Sequence, residues 1–332
     1  MPTPNHRIVL AARPDGAVRE TDFRLETADL PDPADGQVLI RNTILSLDPY
    51  MRMRMNDVKS YVPPQALNEV MGGGTVGEVV ISRNPKFAPG DLVAAPGGWQ
   101  NFCLSDGAGM RKLDRALPPV TYLGPAGMPG VTAWFGVMHL IAPKPGQTVV
   151  VSAAAGAVGS VAGQLAKSLG ARVVGVAGGP EKCRHVVEAL GFDACVDHRA
   201  NALNANLAAA APGGVDGVFE NVGGAVMDAC IRAFNPFARV ALCGLVSGGY
   251  AARPMPIADA TPLLTMRAHI QGFIISDHPE MFAPARDDLQ QRIISGALKW
   301  HVSEAAGLAA APAAFIGLLA GKNLGKQVVK LT

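Results

Sequence analysis

The rhythm of apolar and polar positions changes once along the chain, near residue 125. Before that point, short β-type runs at 37–43, 77–81 and 91–95 alternate with Gly/Pro turns, after a strand-like Ile8-Val9-Leu10. Strands that short and so regularly interrupted predict a compact, barrel-like β fold with few long helices. From Gly146 onward the period lengthens. Thr148-Val149-Val150-Val151-Ser152 is an unbroken apolar, β-branched run, the mark of a strand buried on both faces. A glycine-rich turn follows, then helical spacing over 161–169 closed by Gly170, a strand over 171–176, and a helix over 180–190 with Pro180 at its start and Gly191 just past its end. Ala194–Asp197, 217–220, 239–244 and 269–276 continue the strand series, with apolar helices between. Strand and helix alternating in this way predict a doubly wound parallel sheet. The tail reads as a helix over 311–319 and a strand over 327–331, expected to return to the first domain. The expected organisation is a β domain of residues 1–125 and 303–332 and a doubly wound, parallel-sheet domain of residues 126–302.

The turn Ser152-Ala153-Ala154-Ala155-Gly156-Ala157-Val158-Gly159 lies where a dinucleotide fingerprint belongs, after a buried strand and at the opening of a helix. In the G-x-G-x-x-G pattern its three positions are Ala154, Gly156 and Gly159. Gly156 lets backbone approach a pyrophosphate, the helix N-terminus offers N–H groups and partial positive charge, and Gly159 lets helix and strand pack closely. An ordinary tight strand–helix turn has similar glycines, but the strand–turn–helix–strand context is what the motif requires. A fold that prefers NAD carries Asp or Glu at the end of the second strand, about 20 residues beyond the turn. Here that place holds Ala177-Gly178-Gly179-Pro180, followed by Lys182 and Arg184. No carboxylate stands there to repel a 2′-phosphate, and Lys182 is suited to pair with one, so NADPH/NADP+ is the expected cofactor.

Composition narrows the picture further. Charged residues are 17 % of the chain and the net charge is +2, which removes the electrostatic case for nucleic acid or an acidic membrane as partner. No secretory signal pattern opens the sequence and no apolar run reaches the ~18 residues of a membrane span, so a cytoplasmic location is expected. The five cysteines are odd in number and scattered, and they read as reduced. There is no C-x-x-C pair, Cys103 alone precedes residue 183, and the seven histidines are isolated from one another, so no metal site is expected. Hydride chemistry would then rest on the cofactor, with protein supplying position and polarity.

Four motifs in order, residues 45–52 (Leu-Ser-Leu-Asp-Pro-Tyr-Met-Arg), 127–133 (Gly-Met-Pro-Gly-Val-Thr-Ala), 152–159 and Asn323-Leu324-Gly325-Lys326, resemble the medium-chain dehydrogenase/reductase superfamily. Within it they are similar to the leukotriene B4 12-hydroxydehydrogenase/prostaglandin reductase group and its bacterial 2-alkenal reductase relatives. Glu220-Asn221-Val222-Gly223-Gly224 and Gln271-Gly272-Phe273 lie between them, and the likeness runs along essentially the whole chain. The resemblance implies a GroES-like β-barrel first domain, a Rossmann second domain, and a homodimer joined through the Rossmann sheet edge. It also implies the zinc-free branch, with Gly72-Gly73-Gly74 where zinc enzymes carry a metal-binding Gly-His-Glu.

Carried over residue by residue, the resemblance puts Met128 and Thr132 beside the nicotinamide, Ala154, Gly156, Ala157 and Val158 on the pyrophosphate, and Gly178 and Lys182 on the adenosine phosphate. Asn221, Cys243, Ser247, Phe273, Ile274 and Asn323 line the remainder. His198 stands where the family often has a tyrosine near the adenine ribose, and a surface-loop histidine is the competing reading. The family's Ser-x-Tyr loop becomes Ser247-Gly248-Gly249-Tyr250, one glycine longer, with Tyr250 a candidate over the substrate.

The activity implied is reduction of the carbon–carbon double bond of an α,β-unsaturated aldehyde or ketone. Hydride goes to the β-carbon, a donor stabilises the enolate oxygen, and a proton reaches the α-carbon. Tyr50 is the protein candidate for that donor, with the nicotinamide ribose 2′-hydroxyl as its competitor. The plainer reading of Asp48-Pro49-Tyr50 is a helix start, with Asp48 as N-cap, Pro49 at the first position and Tyr50 merely packed. Arg52 is a candidate for a polar substrate tail or a surface salt bridge. An NADPH:quinone oxidoreductase and a noncatalytic NADPH-binding sensor are the alternative functions.

Overall fold

The computed structural model describes residues 3–248 and 255–331, which fall into two compact units. Among the described residues, one unit holds 3–123 and 302–331, and the other holds 124–248 and 255–301.

In the first unit, strand Thr3–Leu10 pairs antiparallel with Phe23–Leu30. The larger sheet runs Val302–Ala306, Lys326–Lys330, Val38–Ser46, Thr75–Ser82, Leu92–Ala95 and Arg111–Lys112 in spatial order, and Phe102–Ser105 also pairs with Val38–Ser46. Val38–Ser46 is three residues longer at its C-terminal end than the apolar run suggested. Thr75–Ser82 and Lys326–Lys330 both pair with it there, so Ile44–Ser46 find partners on two sides. Phe23, Trp99 and Phe315 form the aromatic centre of this core, Trp99 stacked on Phe23 at 5.4 Å and edge-on to Phe315 at 5.6 Å.

The chain's last strand is tied to its forty-eighth residue by a buried ion pair. The Lys326 ammonium, 2 % exposed, donates to the Asp48 carboxylate at 3.0 Å and to the carbonyls of Leu47 and Gln327 at 2.6 and 3.0 Å. Burial pushes the Lys326 pKa down, and Asp48 pulls it back. The Asp48 carboxylate also accepts from the Ser46 hydroxyl. Asp48 is therefore not the side-chain cap expected from sequence. Pro49 occupies the N-cap position of helix Tyr50–Arg54, no side chain caps it, and the carboxylate faces Lys326 instead.

The second unit is a six-stranded, all-parallel sheet. Its order is Ala194–Asp197, Arg172–Ala177, Thr148–Ser152, Val215–Glu220, Phe234–Leu242, His269–Gly272, the 3-2-1-4-5-6 arrangement of a dinucleotide-binding fold. All five residues of Thr148–Ser152 are buried, as an apolar central strand requires. The last strand stops at Gly272, four residues short of the expected end at Ser276. Its neighbour supplies partners up to Leu242 opposite Gly272, and the chain then turns into a short 3-10 segment, Ile275–Asp277. Helix Gly159–Ser168 lies so near Phe192 that a side chain at Gly163 would occupy the ring's place.

Replacing Lys326 by Met should lower unfolding free energy by roughly 3–5 kcal/mol, because the Asp48 carboxylate stays buried without its counter-charge. The double replacement Asp48→Leu with Lys326→Met should recover a large part of that loss. Urea unfolding of the two variants checks both statements.

Candidate functional site

The carboxyl ends of Thr148–Ser152 and Val215–Glu220 flank the point where the strand order reverses, the place where open parallel sheets bind ligands. A buried polar knot occupies it. The Ser152 hydroxyl donates to the Glu220 carboxylate at 2.7 Å, and the backbone N–H groups of Val222 and Gly223 donate to the same oxygen at 2.5 and 2.8 Å. Asn221 closes the knot, its N–H on the Ser152 hydroxyl (2.7 Å) and its side-chain amide on the Ser152 carbonyl (2.8 Å). Burial pushes the Glu220 pKa up against these donors. Backbone bonds from Cys243 and Gly244 to the Glu220 carbonyl, Val246 to Asn221 and Ser247 to Val222 hang the 243–247 loop on this turn. Asn221, Cys243 and Ser247 are thus brought together. Glu220 and Ser152, which organise them, were not singled out from sequence. A glutamate closing a strand looks like any surface carboxylate until its 0 % exposure is known.

The glycine-rich turn sits beside this knot. Ala154 donates to the Val176 carbonyl and is fully buried, Gly156 donates to Ala153, and Ala153 itself has a left-handed backbone (φ +48°). A Cβ on Gly159 would strike the Ala153 carbonyl, so that glycine is demanded by packing. A Cβ on Gly156 would touch only the same oxygen, at 3.1 Å, and would otherwise point into open space. Ala157 and Val158 lie between Gly156 and helix Gly159–Ser168, at its N-terminal end. An open glycine face at a helix start is a cradle of the kind that takes a pyrophosphate.

A second cradle lies at the end of strand Arg172–Ala177. The Asp197 carboxylate accepts the N–H groups of Gly179 (2.8 Å) and Arg199 (2.9 Å), folding the 178–180 turn and the 198–199 turn onto each other, and these bonds hold its pKa down. A Cβ on Gly178 would come within 2.9 Å of both His198 Nε2 and Arg199 Nε. Lys182 stands half-buried in the first turn of helix Pro180–Glu188. Burial lowers the pKa of Lys182, and the Arg199 charge lowers it further; His198 is lowered by the same two causes. Positive groups that depress one another in this way are suited to an anion, and a phosphate with about −2 charge relieves them. Sequence reasoning named Gly178, Lys182 and His198 and missed Arg199. It is 22 residues beyond Ala177, and nothing local marks its direction.

Helix Met128–Phe135 carries Met128, exposed at its first position, and Thr132, whose hydroxyl is spent on the Met128 carbonyl at 2.8 Å. Phe273 packs on Phe135 at 5.5 Å and on Phe219 at 6.3 Å, with Ile274 following it. Asn323 belongs to the other unit, where its side-chain amide bonds the Gly325 carbonyl at 2.8 Å.

In the first unit, Tyr50 is half-buried at the start of helix Tyr50–Arg54. Burial, and next the Asp48 charge, drive its pKa far up, so the phenol stays protonated and is able to donate a hydrogen bond. Arg52 is neither a surface residue nor an ion pair. It is 2 % exposed, and its guanidinium is held by the Asn56 side chain at 2.6 Å and the Gly16 carbonyl at 2.8 Å. A Cβ at Gly72 would meet the Arg54 guanidinium at 2.6 Å, and one at Gly73 would press on the Leu45, Met51 and Trp99 side chains at 3.1–3.3 Å. Among the described residues no three His, Cys, Asp or Glu side chains come together as a metal-binding group. Tyr250 lies outside the described residues.

Gly156→Ala should fold normally yet bind NADP+ about tenfold more weakly, a loss of ~1.4 kcal/mol, because the added methyl fills the open face. Gly159→Ala should lose thermal stability first. Calorimetric titration beside a thermal melt separates the two.

Comparison with known proteins gives this arrangement its context. Residues 6–113 match the family model described as the N-terminal domain of oxidoreductase, and residues 157–291 match the one described as zinc-binding dehydrogenase. The chain is 46 % identical to the NADPH-dependent curcumin reductase of Escherichia coli, over 98 % of this chain and 97 % of that one. It is 38 % identical to prostaglandin reductase 1 of Bos taurus, over 95 % of each. The crystal structure of CurA from Vibrio vulnificus in complex with NADPH superposes with a TM-score of 0.94 at 44 % identity, covering 98 % of this chain and 99 % of that one. The chain belongs to the medium-chain dehydrogenase/reductase superfamily, in the group that includes the prostaglandin reductases.

Proposed function

We propose that this enzyme uses NADPH to reduce the carbon–carbon double bond of α,β-unsaturated aldehydes and ketones. The observation that carries the cofactor half is the approach of His198 and Arg199 to Gly178, with Lys182 close to both in the first turn of the next helix, where an NAD-preferring fold has a carboxylate. The relatives support it: one is named for NADPH-dependent curcumin reduction, another for prostaglandin reduction, and the Vibrio protein holds NADPH.

In this reading the N–H groups of Ala157 and Val158 and the open face of Gly156 take the pyrophosphate. Lys182, His198 and Arg199 take the 2′-phosphate. The Ser152–Glu220–Asn221 knot holds the 243–247 loop, with Cys243 and Ser247, and Phe273 and Ile274 against the remainder of the dinucleotide. Met128 and Thr132 stand at the nicotinamide end. The bound cofactor supplies the hydride for the substrate's β-carbon. Tyr50, a neutral phenol with an elevated pKa, donates a hydrogen bond to the carbonyl oxygen as enolate charge develops, before the α-carbon is protonated. Tyr250 contributes to the substrate side. Arg52 is left to hold the helix. The same reading takes the protein as a cytoplasmic homodimer joined through the edge strand His269–Gly272.

Arg199→Ala and Lys182→Ala should each raise the KM for NADPH about tenfold or more while leaving that for NADH nearly unchanged; equal losses with both cofactors would remove the residue from the phosphate site. Steady-state kinetics with the two cofactors reads the difference.

For the chemical half, NADPH oxidation with panels of 2-alkenals, enones and quinones should yield products two hydrogens heavier at the alkene, carbonyl intact, by mass spectrometry. Oxidation with quinones alone would make the protein a quinone oxidoreductase, and binding without turnover a sensor. Tyr50→Phe should lower kcat with enones about 10²-fold, the scale of a lost oxyanion donor. Full turnover in that variant would leave the ribose hydroxyl as the donor.

A further inference from the structure

Two of the five cysteines stand together. Cys195, in strand Ala194–Asp197, points its thiol at Cys183, in helix Pro180–Glu188, with the sulfurs 3.1 Å apart and no bond between them. A disulfide needs the sulfurs about 2.05 Å apart, so closing the bridge asks for roughly 1 Å of approach. Both residues are half-buried, whereas Cys103 and Cys230 are buried. The pair also straddles the phosphate cradle. Cys183 directly follows Lys182, and Cys195 lies two residues before Asp197, the carboxylate that holds the Gly179 and Arg199 N–H groups.

We propose that Cys183 and Cys195 are a redox-modification site: a hydroperoxide converts them to a disulfide that weakens the hold of the adjoining cradle on a 2′-phosphate. The second half rests on the NADPH reading above; the first stands without it. The Cys195 thiol donates to the Cys183 sulfur, which makes Cys183 the attacking thiolate. Its sulfur attacks a peroxide oxygen, the O–O bond breaks, and a sulfenic acid forms as hydroxide leaves and is protonated to water. The Cys195 sulfur then gives up its proton and displaces that oxygen as a second water. Two thiols have lost two protons and two electrons, and one hydrogen peroxide has become two waters. Burial and the Asp197 charge raise both thiol pKa values, so thiolate is scarce at neutral pH and the reaction is slow there. Once closed, the bridge draws the Lys182 turn and the strand leading to Asp197 together. A site built from three separately placed cations does not keep its fit through a shift of that size.

The full-length protein, treated with hydrogen peroxide at mildly alkaline pH and alkylated, should lose two hydrogens by intact mass. Peptide mapping should place the bridge between Cys183 and Cys195, and dithiothreitol should restore both thiols. Calorimetry on the oxidised protein should then show 2′,5′-ADP bound at least about fivefold more weakly while 5′-AMP is unaffected, and Cys195→Ser should abolish both effects. Oxygen adducts on either sulfur, or a bridge between other cysteines, would overturn the site. A correct bridge that leaves the 2′,5′-ADP to 5′-AMP ratio unchanged would overturn the coupling. If the reduced protein already fails to distinguish those two ligands, the coupling falls together with the phosphate-cradle reading, and the mass result alone decides the bridge.

Discussion

A carboxylate with no water around it organises the second unit. Glu220 has 0 % exposure, and an ionised side chain in that position costs several kcal/mol unless hydrogen bonds replace its hydration. The donors come from three places: a hydroxyl on the neighbouring strand and two successive backbone N–H groups of its own turn. All three donors converge on Oε1, while Oε2 is buried without a partner among the described residues; these bonds fix the turn after the fourth strand of the dinucleotide sheet, fasten it to the end of the first, and so determine where the 243–247 loop begins. The binding crevice is therefore shaped by the needs of a group that no ligand has to touch.

The first unit meets the same constraint with opposite signs. Asp48 and Lys326 are both buried and satisfy one another, with backbone carbonyls taking the remaining ammonium protons. A Leu in place of either alone would leave the other charge buried without its counter-charge and remove the directional bonds that tie Leu47 and Asp48 to Lys326. Around Gly178 the charges are of one dominant sign: His198 and Arg199 approach it while Asp197 accepts backbone N–H groups, and Lys182 and His198 each feel the Arg199 charge.

Much of this was legible in the residues themselves. The unbroken Thr148–Ser152 run, Pro180 and Gly191 around a helix, and the missing carboxylate after Ala177 are local signals, and the parallel, doubly wound character of the sheet follows from the alternation of strand and helix. The glycine turn was readable for the same reason, although sequence could not distinguish Gly159, required by packing, from Gly156, open toward a ligand. What stayed hidden depends on partners distant in sequence. Asp48 before a proline reads as an N-cap until Lys326 is found beside it. Arg52 in a charged helix reads as exposed until the Gly16 carbonyl is found against it. Arg199 and the Cys183–Cys195 contact belong to the same class, since each depends on a segment more than ten residues away.

The ion pair between residues 48 and 326 spans 278 positions of chain. Strand Val38–Ser46 pairs early with Thr75–Ser82 and Phe102–Ser105 but receives a third antiparallel partner only from residues near 330, so its sheet is completed after the parallel one. The parallel sheet, whose strands all lie between 148 and 272, has every partner in hand much earlier. During synthesis the opening segment waits with Ile44, Leu45 and an unpaired Asp48 lacking their final neighbours, while a complete nucleotide-binding unit can form behind it. Nascent chains interrupted in the last few dozen residues would thus carry a finished Rossmann sheet and an open-edged β sheet, the form in which association between chains is most readily started.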